Sequence, residues 1–123
     1  MNNPAQDSYQ LYIGGEWVDA SDGATLDSFC PATGEKLSTI ADATREDVDR
    51  AVEVAWKAFE TWGKTDKTER AAILNKVADI IEENAEKLAL LETLDNGKPI
   101  RETRAIDIAY SVDHFRYFAA AIR

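Results

Sequence analysis

The stretch Leu91-Glu92-Thr93-Leu94-Asp95-Asn96-Gly97-Lys98-Pro99 constrains the chain more than any other. Leu88, Leu91 and Leu94 recur on one helical face, Asn96-Gly97 supplies a left-handed cap, and Pro99 blocks continuation. A helix must therefore run into this stretch, and a separate segment must leave it. A helix exit of this kind requires only the Gly and the Pro. It does not explain Thr93-Leu94-Asp95 before the Gly, or Lys98 between Gly and Pro.

Upstream, the hydrophobic period changes once, near Thr44. Before it the chain alternates short β-prone runs with turns. Residues 1–9 read as a flexible polar tail. Residues 10–13 and 16–19 flank Gly14-Gly15, a pair suited to a two-residue hairpin because the primed turns need positive φ. Residues 25–29 and 36–40 predict two further strands, separated by the turn Pro31-Ala32-Thr33-Gly34. A few short strands are marginal alone in water and need a further layer.

After Thr44 the period is helical. Thr44 with Asp47 predicts a capping box, and Val48, Ala51, Val52, Ala55, Phe59 and Trp62 form a stripe ended by Gly63. Asp66 with Glu69 predicts a second box, followed by Leu74, Val77, Ala78 and Ile81, with Ile73 and Ile80 widening the stripe. Asn84 is placed to cap a third segment. The last segment carries Ile108, Val112, Phe115, Ala119 and Ile122 on one face. Ala119 to Arg123 continues that pattern without a stop signal, which predicts that the chain is a piece of a longer one.

Composition limits the function classes. With 23 acidic against 14 basic residues the net charge is −9, which disfavours nucleic-acid and anionic-membrane partners. No apolar run reaches membrane-spanning length. A single cysteine, Cys30, makes no internal disulfide, and the polar N-terminus lacks a secretory signal pattern, so the cytoplasm is the expected compartment. Cys30 lies at a strand end before Pro31, and the one histidine, His114, is remote in sequence; Cys30 reads as structural. Gly97-Lys98 lacks both the earlier Gly and the following Ser or Thr of a phosphate loop, and no Gly-x-Gly-x-x-Gly occurs. The acidic pairs Glu46-Asp47 and Glu82-Glu83 read as solvated helix faces. On residue chemistry alone no catalytic or cofactor-binding residue is assigned.

The motifs carry more. Leu11-Tyr12-Ile13-Gly14-Gly15-Glu16-Trp17-Val18, Cys30-Pro31-Ala32-Thr33-Gly34-Glu35, Asp47 to Val52 with Trp62, Arg70 to Ile81, Glu92 to Pro99, and Asp113 to Ala119 occur in one order. In wording and order they resemble the N-terminal region of the NAD(P)-dependent aldehyde dehydrogenases, with Cys30 in place of the usual Asn. The last two motifs lean towards bacterial enzymes acting on acetaldehyde and other short aliphatic aldehydes. The resemblance implies an α/β parent fold with a Rossmann-type cofactor domain. In that fold, residues 10–123 would form an incomplete N-terminal part: short strands and a hairpin, then amphipathic helices. It implies oxidation of a small-molecule aldehyde to a carboxylic acid with NAD or NADP, by residues that would lie beyond Arg123. No cofactor is expected on this segment alone, and none of the family's catalytic residues maps onto it. A homo-oligomer or self-association is expected. Some members bind a monovalent cation, K+ or Na+, and the matching ligands here would be the Asp95 carboxylate and the Ser28 and Phe29 backbone carbonyls. A self-standing, non-catalytic helical module that binds another protein is the alternative.

Overall fold

The computed structural model describes residues 3–122; Met1, Asn2 and Arg123, the ends of the expected tail and helical regions, lie outside the described residues. The chain divides into two compact units, Ala5–Lys64 and Thr65–Arg123 with Met1–Pro4.

The first unit holds the strands. β2 (Leu11–Ile13) and β3 (Glu16–Val18) form the antiparallel hairpin, with Ile13 opposite Glu16. Gly14 and Gly15 have φ of 66° and 89°, as the tight primed turn requires. A Cβ on Gly14 would also stand 3.3 Å from the Val54 side chain, which would have to give by a few tenths of an ångström.

β4 (Thr25–Phe29) pairs antiparallel with β5 (Lys36–Ala41), with an irregularity between Ser28 and Phe29. β1 (Ser8–Tyr9) runs parallel to β5, Tyr9 opposite Ile40. The expected tail therefore stops short of Ser8: Ser8 and Tyr9 are a strand, recruited by an edge of β5 that nothing local in the sequence announces.

α1 (Arg45–Trp62) begins on the predicted capping box, Thr44 accepting from the Asp47 amide and Asp47 from the Thr44 amide. Asp47 is not a solvated acid. It is 3% exposed and also accepts from the amide and hydroxyl of Ser21. Those amide bonds, Ser21 first and then Thr44, hold its carboxyl below the usual range.

α1 turns this side, Asp47, Ala51 and Val54, inward; Val48, Val52, Trp56, Phe59 and Trp62 stay 42–67% exposed. The predicted stripe is present but lies largely on the outside.

The second unit is helical: α2 (Lys67–Glu83), α3 (Ala85–Asn96), a short α4 (Ile100–Glu102), a π-helical turn over Thr103–Ile108, and α5 (Ala109–Ala121). Asp66 caps α2 by accepting from the Thr68 amide. Asn84 does not cap α3 with its side chain, which instead donates back to the Ile80 carbonyl.

α2 packs on α5 through small residues. Ala71 and Ala78 on one helix and Val112 and Ala119 on the other are buried, and alanines let the two backbones approach closely. Beside this seam Arg116 bridges Asp79 at 3.3 Å and Glu82 at 2.6 Å. Among the described residues no helix is long and apolar enough to cross a membrane.

Candidate functional site

The helix exit builds a hydrogen-bonded polar cluster in the second unit. Gly97 adopts φ 84° and its amide bonds the Thr93 carbonyl at 3.0 Å. This turn aims Lys98 at the π-helical turn, where its ammonium meets both carboxylate oxygens of Asp107 at 2.9 and 2.8 Å. The bond to Asp107 holds the Lys98 pKa above its ordinary value. Lys98, unnecessary for ending a helix, is thus the tie across the exit. Sequence reasoning flagged it as unexplained and missed its partner.

A second tie lies behind it. Thr103, fully buried, donates its hydroxyl proton to the Ile100 carbonyl at 3.0 Å, so Thr93 must be the donor in the 2.9 Å bond between the two hydroxyls.

A hollow of about 370 Å³ opens beside this cluster, lined by Glu92, Asp107, Ile108, Tyr110, Ser111 and His114. Ser111 donates to the Asp107 carbonyl at 2.7 Å. The His114 Nδ1 lies 2.6 Å from the Tyr110 carbonyl, which only accepts, so the proton sits on Nδ1. Asp107 is committed to Lys98 and Ser111 to a carbonyl, so neither forms a nucleophile–base pair with His114.

Cys30 is 3% exposed, more buried than a turn position suggests. The turn closes around it: the Gly34 amide bonds its carbonyl at 2.7 Å and its own amide bonds Glu35 at 2.8 Å. A hydrogen bond from the Thr33 hydroxyl holds the thiol below its ordinary value. Buried in a closed turn, it is a packing residue rather than an accessible nucleophile.

The cation ligands implied by resemblance fall in both units. Ser28 is half-buried and Phe29 53% exposed, both at the β4–β5 irregularity, where a carbonyl can leave the ladder. Asp95 is exposed in the last turn of α3, the negative end of the helix and a favourable place for a cation. Among the described residues no group of three or more His, Cys, Asp or Glu side chains is placed to hold a metal. The implied set, with two carbonyls and one carboxylate, is of a different kind.

On α1, Val52, Ala55, Trp56 and Phe59 line an open apolar groove of about 310 Å³, with Trp56 and Phe59 edge to face at 6.0 Å. Val52, Ala55 and Phe59 belong to the stripe that the sequence displays, and Trp56 stands beside it.

Residues 17–123 match the profile of the aldehyde dehydrogenase family. The chain belongs to the aldehyde dehydrogenase family. It is 46% identical to acetaldehyde dehydrogenase 2 of Cupriavidus necator over 123 residues, covering 100% of this chain and 24% of that protein. Against aldehyde dehydrogenase B of Escherichia coli (strain K12) it is 49% identical over 115 residues, 94% of this chain and 22% of that one. Among solved structures, the NAD+ complex of aldehyde dehydrogenase from Bacillus cereus superposes with a TM-score of 0.89 at 42% identity, covering 92% of this chain and 23% of that chain. The chain thus spans about a quarter of the length of these relatives, and corresponds to their N-terminal portion. The hairpin, the Cys30–Glu35 turn and the exit at Gly97 all lie on an aldehyde dehydrogenase segment with mixed α/β structure, as the motifs implied.

Proposed function

We propose that this chain forms the N-terminal outer layer of the cofactor domain in an NAD(P)-dependent aldehyde dehydrogenase, cytoplasmic and homo-oligomeric, that oxidises an aldehyde to a carboxylic acid. The observation that carries this reading is 46% identity across all 123 residues to a relative about four times as long. The name of that relative points to acetaldehyde as the substrate, and the wording of the last two motifs extends this to other short aliphatic aldehydes. In the overall reaction one aldehyde and one water give the carboxylic acid, the nicotinamide taking a hydride and the solvent a proton.

On this reading the nucleotide is held by the rest of the protein, which the caps of two helices support. The N-termini of α1 and α2 are occupied by the carboxylates of Asp47 and Asp66, which repel phosphate where a bare helix end would attract it. This segment therefore shapes and supports. Lys98–Asp107 and Thr93–Thr103 fix the exit after α3, and Asp47 fixes the entry to α1. K+ or Na+ at Asp95, Ser28 and Phe29 belongs to the same proposal. A non-catalytic module that binds another protein is the second reading, favoured by the open groove on α1.

The test is spectrophotometric. The purified 123-residue chain, given acetaldehyde with NAD or NADP, is expected to produce no reduced nucleotide. Aldehyde-dependent reduction by this chain, abolished in Cys30→Ser, would refute its supporting role.

A further inference from the structure

α2 has two apolar faces, and only one is covered within its unit. Ala71 and Ala78 close on α5. Arg70, Ile73, Val77 and Ile80 follow i, i+3, i+7, i+10 spacing on a face rotated by roughly 130° from those alanines. There Ile73 is 43% and Ile80 47% exposed. At the head of this face the Arg70 side chain is half-buried, and its Nε is buried without a hydrogen-bond partner.

A guanidinium is always charged and offers five donors, and buried donors in native proteins are nearly always satisfied. A helix apolar on two sides belongs between two layers. One of those layers is α5. The relatives contain more than three times as much additional chain as this one, and that is where the second layer can come from. A second copy of this chain is a poorer occupant, because each copy brings a net charge of −9.

We propose that the Arg70–Ile73–Ile80 face of α2 is the seat of a surface from the remaining three-quarters of an aldehyde dehydrogenase fold. That surface presents a carboxylate to the Arg70 fork between apolar side chains. Carboxylate is the acceptor that matches a guanidinium in two parallel bonds, and lysine cannot reproduce that match. The proposal rests on the enzyme reading, and its test separates the two.

The test compares the isolated 123-residue chain with a chimera in which this chain replaces the matching 115 residues of Escherichia coli aldehyde dehydrogenase B. Each is made unmutated, as Arg70→Met and as Arg70→Lys, and melted. In the isolated chain Arg70→Met is expected to leave the midpoint unchanged or raise it, since it removes an unpaired buried donor. In the chimera it is expected to lower the midpoint by about 3 °C or more, with Arg70→Lys in between.

Equal shifts in both proteins, no shift in the chimera, or a chimera that stays insoluble while its parent folds would overturn the proposal. So would a concentration-dependent dimer of the isolated chain that Arg70→Met dissolves, which would assign the face to a second copy. NADH production by the unmutated chimera reports on the enzyme reading alone. Its absence beside an intact Arg70 effect would overturn that reading and leave the seat standing.

Discussion

Replacing Thr103 by Val keeps the side-chain shape and removes one oxygen at the most buried polar position of the helical unit. Two bonds end: the donation to the Ile100 carbonyl and the acceptance from Thr93. The first is an ordinary hydrogen bond worth about 0.5–1.5 kcal/mol. The second loss strands the Thr93 hydroxyl. Thr93 is half-buried and reaches some water, so its penalty belongs near the bottom of the ~1–3 kcal/mol range. Together Thr103→Val should cost about 2 kcal/mol. Thr93→Val should cost less, about 1 kcal/mol, because Thr103 keeps its bond to Ile100. The double variant should cost less than the sum by about 0.5–1 kcal/mol, the coupling expected of two groups in direct contact. In a unit of this size 1 kcal/mol moves the midpoint by roughly 4–8 °C, so Thr103→Val should melt at least about 8 °C early. The assay is thermal and urea unfolding of the four proteins. Equal costs for the two single variants, or strict additivity, would refute the assignment of Thr93 as donor and Thr103 as the hub.

Gly97→Ala places a Cβ at φ 84° and should destabilise the helical unit by about 1–2 kcal/mol, read as a lower urea midpoint at unchanged slope. Asp47 should contribute to acid sensitivity, as Asp27 should in the same unit. The folded pKa of Asp47 lies below its unfolded one, so its contribution is complete above pH ~4 and is lost as pH falls through the folded value. Asp47→Asn should flatten the acid limb of the stability profile of residues 5–64, and an unchanged limb would show that Asp47 titrates as it does unfolded.

Local chemistry was legible where it was self-contained. The Gly14-Gly15 hairpin, the Thr44–Asp47 box and the left-handed Gly97 each depend on residues within four positions of one another, and each forms as the sequence predicts. Features that depend on distant chain were not legible. Ser8 and Tyr9 become a strand only because β5 lies about thirty residues away, and Asp47 becomes buried only because Ser21 offers its amide from 26 residues upstream. The polar cluster at the helix exit shows both cases. Lys98 stood out as unnecessary for a helix exit, yet Asp107 could not be paired with it from a spacing of nine. A π-helical turn intervenes, and its extra residue per turn shifts the phase on which helical pairing rules rely.

The terminal helix shows a different limit. Its stripe of Ile108, Val112, Phe115, Ala119 and Ile122 runs on to the last residues without a stop signal, as an uncovered face would. Instead α2 covers it, leaving Val112 7% and Ala119 2% exposed. Large aromatics stay exposed away from this face: Tyr110 at 62%, Tyr117 at 65% and Phe118 at 57%. Periodicity locates a helix, but volume decides which apolar face closes first. Against Ala71 and Ala78 the small side chains of Val112 and Ala119 pack closest, while Phe115 on the same face is only half-buried. α1 follows the same rule, turning Asp47, Ala51 and Val54 inward and leaving Val52, Trp56, Phe59 and Trp62 outside. In both units the most buried apolar side chains of the helices are small, and most of the large aromatic side chains remain exposed. Aromatic faces remove the most apolar area from water in any further contact, so the surface left open is the one best suited to carry the segment into a larger assembly. A segment that spans a quarter of its relatives would present such a surface to the other three-quarters.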